Sequence, residues 1–147
     1  MRSFWLPLLA IAAAAVPAAA ASAPGSAAVA QDATARSEIE RILQADNLDN
    51  SRMSPREVAE TIATIGRGRA PEDFWQAYQA HVRAWQHFAE LAERAVRQQG
   101  ESTFLEGEEE LEAAGRAIDT TFDEVQRIAR RYGARIPVQP GNVIPTI

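Results

Sequence analysis

The architecture of this chain follows from one stretch, PEDFWQAYQAHVRAWQHFAELAERAVRQQG, residues 71–100. Pro71, Glu72 and Asp73 open it, a proline suited to the first helical position and two acids that the helix dipole favours there. Phe74, Tyr78, His81, Trp85, Phe88, Ala92 and Ala95 then recur in steps of four and three, and Trp75, Val82, Ala89 and Val96 widen the stripe. On a 3.6-residue turn this repeat makes one broad apolar face on a long helix, running to Gln98 and ended by Gly100.

The next stretch repeats the pattern. Phe104, Leu111, Ala114, Ile118, Thr121, Val125, Ile128 and Tyr132, flanked by Phe122 and Ala129, keep the same spacing until Gly133 caps the helix. Its start is expected at Thr103, where Thr103 and Glu106 match a capping box, or slightly later because of Gly107. Two long helices joined by a short turn form an antiparallel hairpin. If it closes at residues 99–103, facing positions sum to about 202 or 203. That register pairs Phe74 with Ile128, Tyr78 with Val125, His81 with Thr121, Trp85 with Ile118, Phe88 with Ala114 and Ala92 with Leu111, so large faces small.

Upstream, Ser37-Glu38-Ile39-Glu40 matches a capping box and predicts a short helix over 37–46, with Ile39, Ile42 and Leu43 as its stripe. The turn-forming run from Asp46 to Ser51 ends it. A second short helix begins at the cap Ser54, with Pro55 at its first position, Glu57 completing the box and Met53 placed to staple onto Val58. Val58, Ile62 and Ile65 form its buried face and Gly66 stops it. The expected class is all-α: two short N-terminal helices packed on a long hairpin, four-helix bundle-like, over residues 31–134. Residues 135–147 follow as an extended tail, interrupted by Pro137, Pro140 and Pro145. Its Ile136, Val138, Val143, Ile144 and Ile147 are apolar enough to pack on the domain or to engage a partner.

The chain begins like a secretory signal peptide: Arg2, then Phe4, Trp5, Leu6, Leu8, Leu9 and Ile11 leading into alanines, then small residues. Cleavage sites stand at Ala21-Ser22-Ala23 and Ala28-Val29-Ala30. The first would leave Pro24 next to the cut, so residues 1–30 are expected to be removed, leaving Gln31 first. Pro7, Pro17 and the weakly partitioning alanines argue against a retained membrane anchor. With no cysteine there is neither a lipid attachment site nor a disulfide framework.

Removing residues 1–30 takes one arginine of the 15 basic residues and none of the 20 acids, moving the formal charge from −5 to −6. That sign argues against nucleic acid as a partner. Every basic residue is arginine, which together with the alanine richness suggests a GC-rich bacterial source and hence the periplasm or the outside medium.

Four features invite a functional reading. His81 interrupts the apolar stripe opposite Thr121, the polar exception on the facing stripe. The simplest account is a buried histidine hydrogen-bonded to Thr121, because an unpaired buried polar group costs about 1–3 kcal/mol. His81 and His87 are six residues apart and point away from each other on a helix, so a shared metal is not expected. The glutamates at 106, 108, 109, 110 and 112, and pairs such as Glu90–Arg94, Glu93–Arg97, Glu112–Arg116 and Asp123–Arg127, read as a solvated face. The loop Gly66-Arg67-Gly68-Arg69 precedes a helix N-terminus and offers two guanidiniums to an anion.

No G-x-S-x-G stands in the sequence, cysteine and lysine are absent, and the acids read as surface residues. The chain is therefore expected to be no enzyme, to carry no cofactor or metal, and to act as an exported interaction or structural protein. Its partner would be an envelope protein or a second copy. The alternative is a small-ligand or anion binder using Arg67, Arg69, Tyr78, His81 and Trp85.

Overall fold

The computed structural model describes residues 24–97 and 104–138. Among them the chain is entirely helical: α1 (Pro24–Asp46), α2 (Pro55–Ala63), α3 (Glu72–Arg97) and α4 (Phe104–Arg131), with one turn of 3-10 helix at Asn50–Arg52. The proposed signal core, the hairpin turn with the Thr103 cap, and the tail beyond Val138 lie outside the described residues.

α3 and α4 lie side by side. Arg131 Nη2 meets Asp73 Oδ2 at 2.9 Å, His81 Nδ1 meets Thr121 Oγ1 at 3.2 Å, and Arg94 Nη1 meets Glu110 Oε2 at 3.7 Å. These links advance along α3 while they retreat along α4, so the helices are antiparallel, and the His81–Thr121 register is the one the stripes predict. Phe74, Tyr78, Val82, Val125, Ile128 and Ala129 are buried in one core with Ile39, Ile42 and Leu43 of α1 and Val58 and Ile62 of α2. Toward the hairpin turn the cover thins: Trp85, Phe88, Leu111 and Ile118 are half-buried. Val96, expected to widen the stripe, is 67% exposed.

α1 differs from its expected bounds. It starts at Pro24 rather than at residue 37, and Ser37 lies inside the helix as an exposed residue instead of capping it. The physical reason is the alanine-rich segment before Ser37, since alanine has the highest helix propensity and extends the helix backward past a cap signal. α1 therefore crosses the boundary drawn at residue 31 and is not a short helix.

α2 follows its local code. Ser54 Oγ accepts from the Glu57 amide at 3.3 Å, and the Glu57 carboxylate accepts from the Ser54 amide at 2.7 Å, completing the box. The helix ends at Ala63, capped by Thr64, before Gly66 is reached. The glycine with a left-handed backbone in this loop is Gly68, at φ 57°. At the end of α4, Gly133 takes φ 67°, its amide donates to Arg130 O at 3.0 Å and that of Ala134 to Ala129 O at 3.1 Å. This is the Schellman arrangement expected of a C-terminal glycine.

Two surface pairs differ from expectation. Arg94 reaches across to Glu110 rather than back to Glu90, and Arg127 pairs with Glu124 rather than Asp123. The tail's first residues return to the domain: Ile136 is half-buried against the core, the Arg135 amide donates to Glu40 at 3.0 Å, and Asn47 Nδ2 donates to Val138 O at 3.1 Å.

Candidate functional site

Beyond Asp46 the chain leaves α1 through a turn, so the middle of the hairpin loses its cover. A cleft of about 520 Å³ opens there between the 46–51 turn, α2, α3 and α4. Leu48, Trp85, Ile118 and Phe122 supply apolar wall, and the exposed carboxylates of Asp49 and Asp119 stand at the rim.

Asp46 and His81 form the floor. The carboxyl side chain is only 6% exposed and the imidazole 4%. Asp46 reaches this depth because it continues the face of Ile39, Ile42 and Leu43 into the last turn of α1, at a helical spacing of three and four. His81 stands one turn beyond Tyr78 on α3. The Tyr78 hydroxyl donates to Asp46 Oδ1 at 3.0 Å and also lies 3.4 Å from Ile62 O. Phe122 packs against the imidazole, with ring centroids 5.0 Å apart.

Thr121 Oγ1 is the hydrogen-bond partner of the imidazole and also lies 2.8 and 3.0 Å from the carbonyls of Ala117 and Ile118. A hydroxyl has one hydrogen. When it goes to a carbonyl, the oxygen accepts from Nδ1–H and Nε2 has an open lone pair; when it goes to Nδ1, the ring hydrogen sits on Nε2. Nε2 faces Asp46 Oδ2 across 3.9 Å, too far for a hydrogen bond.

Burial moves both groups. Desolvation raises the Asp46 carboxyl to about 6, against the opposing hydrogen bond from Tyr78. Desolvation lowers the His81 imidazole to about 4, opposed by a hydrogen bond to the Ile118 backbone. The Tyr78 phenol is pushed far above its ordinary range, first by burial and then by the charge of Asp46. At neutral pH the floor thus holds a carboxylate, a neutral imidazole and a neutral phenol. The 3.9 Å approach is therefore a carboxylate facing a neutral ring, without the attraction of a charged pair.

Of the residues singled out in the sequence, Tyr78, His81 and Trp85 come together: His81 and Trp85 line the cleft and Tyr78 supports it through Asp46. Arg67 and Arg69 lie apart from it on the loop between α2 and α3. The Arg67 guanidinium donates to Ala70 O at 3.0 Å and pairs with Glu72 at 2.5 Å, so its charge is engaged locally. His87 is exposed on another face of α3. Among the described residues no group of three or more histidine or acidic side chains is gathered as metal ligands.

The residue that sequence reasoning missed is Asp46, taken there for a turn former. The signal for it was an acid continuing the spacing of Ile39, Ile42 and Leu43 on an otherwise apolar face. Compared with protein families, curated proteins and solved structures, the chain matches none, so the site is interpreted from its own geometry.

Proposed function

We propose that this is an exported, non-catalytic helical protein that binds a small ligand in the Asp46–His81 cleft. The observation carrying this reading is a cleft of about 520 Å³ whose floor holds two nearly buried polar side chains with facing polar atoms and whose walls include the rings of Trp85 and Phe122. Ligand pockets have this size and a few convergent polar groups, and polar and apolar surface line this cleft in about equal measure. The domain around it is best described as bundle-like, with α1 and α2 laid over the α3–α4 hairpin. A binding role suits the chemistry better than catalysis, because the Thr121 hydroxyl is hydrogen-bonded within its own helix.

Export rests on the N-terminal pattern. No helix among the described residues is long and apolar enough to cross a membrane. Cleavage after Ala30 would leave Ile39, Ile42 and Leu43 in place, which keeps the domain's core intact. The alternative role, docking to an envelope partner through the apolar tail, loses part of its support because Ile136 is already packed on the domain.

A thermal-shift screen of the mature protein against a chemically diverse fragment set tests the binding role. A ligand at 100 times its dissociation constant stabilises by about 2.7 kcal/mol, and Trp85→Ala is expected to abolish the shift. A screen in which no compound shifts the wild type, at concentrations up to millimolar, rejects small-ligand binding and leaves a structural or partner-binding role. Intact mass of the chain recovered from the periplasmic fraction, beginning at Gln31, is the expected result for export.

A further inference from the structure

The site's hydrogen inventory restricts what can occupy it. Asp46 Oδ1 already accepts from Tyr78, and His81 Nδ1 is already hydrogen-bonded to Thr121. What remains are Asp46 Oδ2 and His81 Nε2, facing each other across 3.9 Å: Oδ2 is an acceptor, and so is Nε2 in the tautomer whose Nδ1 donates to Thr121. Carbonyls, carboxylates and phosphates bring more acceptors and are repelled. A group with two hydrogens on one atom can bridge the pair, and a positive charge on that atom also neutralises the buried carboxylate.

The surroundings agree with this. The carboxylates of Asp49 and Asp119 at the rim add negative charge, and among the described residues no arginine lines the cleft. Trp85 and Phe122 present aromatic surface, which attracts cations as well as apolar bodies. A metal ion is a poorer fit, since a carboxylate and one imidazole are short of the ligands that transition or alkaline-earth ions need.

We propose that the cleft binds a small organic cation, a primary or secondary amine on an aromatic or apolar body, with its ammonium group bridging Asp46 Oδ2 and His81 Nε2. This rests on the small-ligand reading above and narrows it to one chemical class.

Calorimetric titration at pH 7.5 of the mature chain with benzylamine and phenethylamine tests the proposal. Benzyl alcohol, phenylacetate, benzyltrimethylammonium and zinc or calcium chloride serve as controls. The amines are expected to bind and to alter Trp85 fluorescence, a change lost in Trp85→Phe. The alcohol and the carboxylate are expected to bind at least tenfold more weakly. Benzyltrimethylammonium, which keeps the charge but has no N–H, is expected to fall between them. Asp46→Asn is expected to reduce amine affinity at least tenfold while circular dichroism stays unchanged. Should that variant unfold, Asp119→Asn at the exposed rim provides the second test, with an expected two- to fivefold loss.

Equal binding of the alcohol or the carboxylate would overturn the amine assignment and leave small-ligand binding standing. A response to the metal salts alone, or no response to either amine at millimolar concentration, would also overturn it. The fragment screen then decides separately whether the cleft binds any ligand.

Discussion

Asp46 and His81 share a nearly dry pocket, and burial moves their protonation in opposite directions over the same pH range. The Asp46 carboxyl is raised to about 6, so the folded state holds its proton more tightly than the unfolded chain does, and this group alone makes stability fall as pH rises from 4 to 6. The His81 imidazole is lowered to about 4, so the unfolded chain holds its proton more tightly, and this group alone makes stability fall as pH drops from 6.5 to 4. The two slopes oppose each other, and the pair contributes an almost level profile across that window. Asp46→Asn removes one slope. Relative to wild type, that variant should gain about 2 kcal/mol between pH 4.5 and 6.5, the part of the carboxyl's linkage that falls in this interval. His81→Gln should show the reverse trend. Urea unfolding at the two pH values measures both, and parallel profiles for wild type and Asp46→Asn would contradict the assignment.

At the scale of the elements, the ends of helices were legible where backbone geometry is set within a few residues. The Ser54–Glu57 box and the Gly133 terminus are local devices, and both are present. Gly133 sits at φ 67°, where a side chain on an L-residue is strained, so Gly133→Ala should cost about 1–2 kcal/mol in urea unfolding. Gly66 gives the contrast: it lacks a left-handed φ, and an added Cβ would meet nothing within 4 Å, so Gly66→Ala should be neutral or slightly stabilising. Local signals failed where propensity and capping competed. The Ser37 box is a valid start signal, but the alanines before it continue the helix at almost no cost. A comparable loss from Gly66→Ala would mean that the loop is held in the conformation the sequence suggests rather than the one seen.

For the whole molecule, the hairpin supplies the frame and α1 and α2 supply the cover. Among the described side chains at the start of α1, Val29 and those at positions 31–33 are exposed and add little to that cover. Chains beginning at Pro24 and at Gln31 should therefore unfold within about 2 °C of each other, since 1 kcal/mol shifts the midpoint of a domain this size by roughly 4–8 °C. A larger drop for the shorter chain would tie the segment before Gln31 to the fold and count against removal of residues 1–30.

Helical class, the antiparallel pairing of α3 with α4 and the His81–Thr121 register could all be read from residue order, because a four-and-three repeat places apolar side chains on one face whatever lies elsewhere. The candidate site could not. Asp46 lies 32 residues from Tyr78, its hydrogen-bond partner, and what joins them is the docking of α1 on the hairpin. Burial and the 3.9 Å gap between Asp46 Oδ2 and His81 Nε2 arise from that docking. Residue order specifies which side chains share a helix face. The acid–imidazole pair depends on where one helix stops covering the others, which is a property of the packed chain.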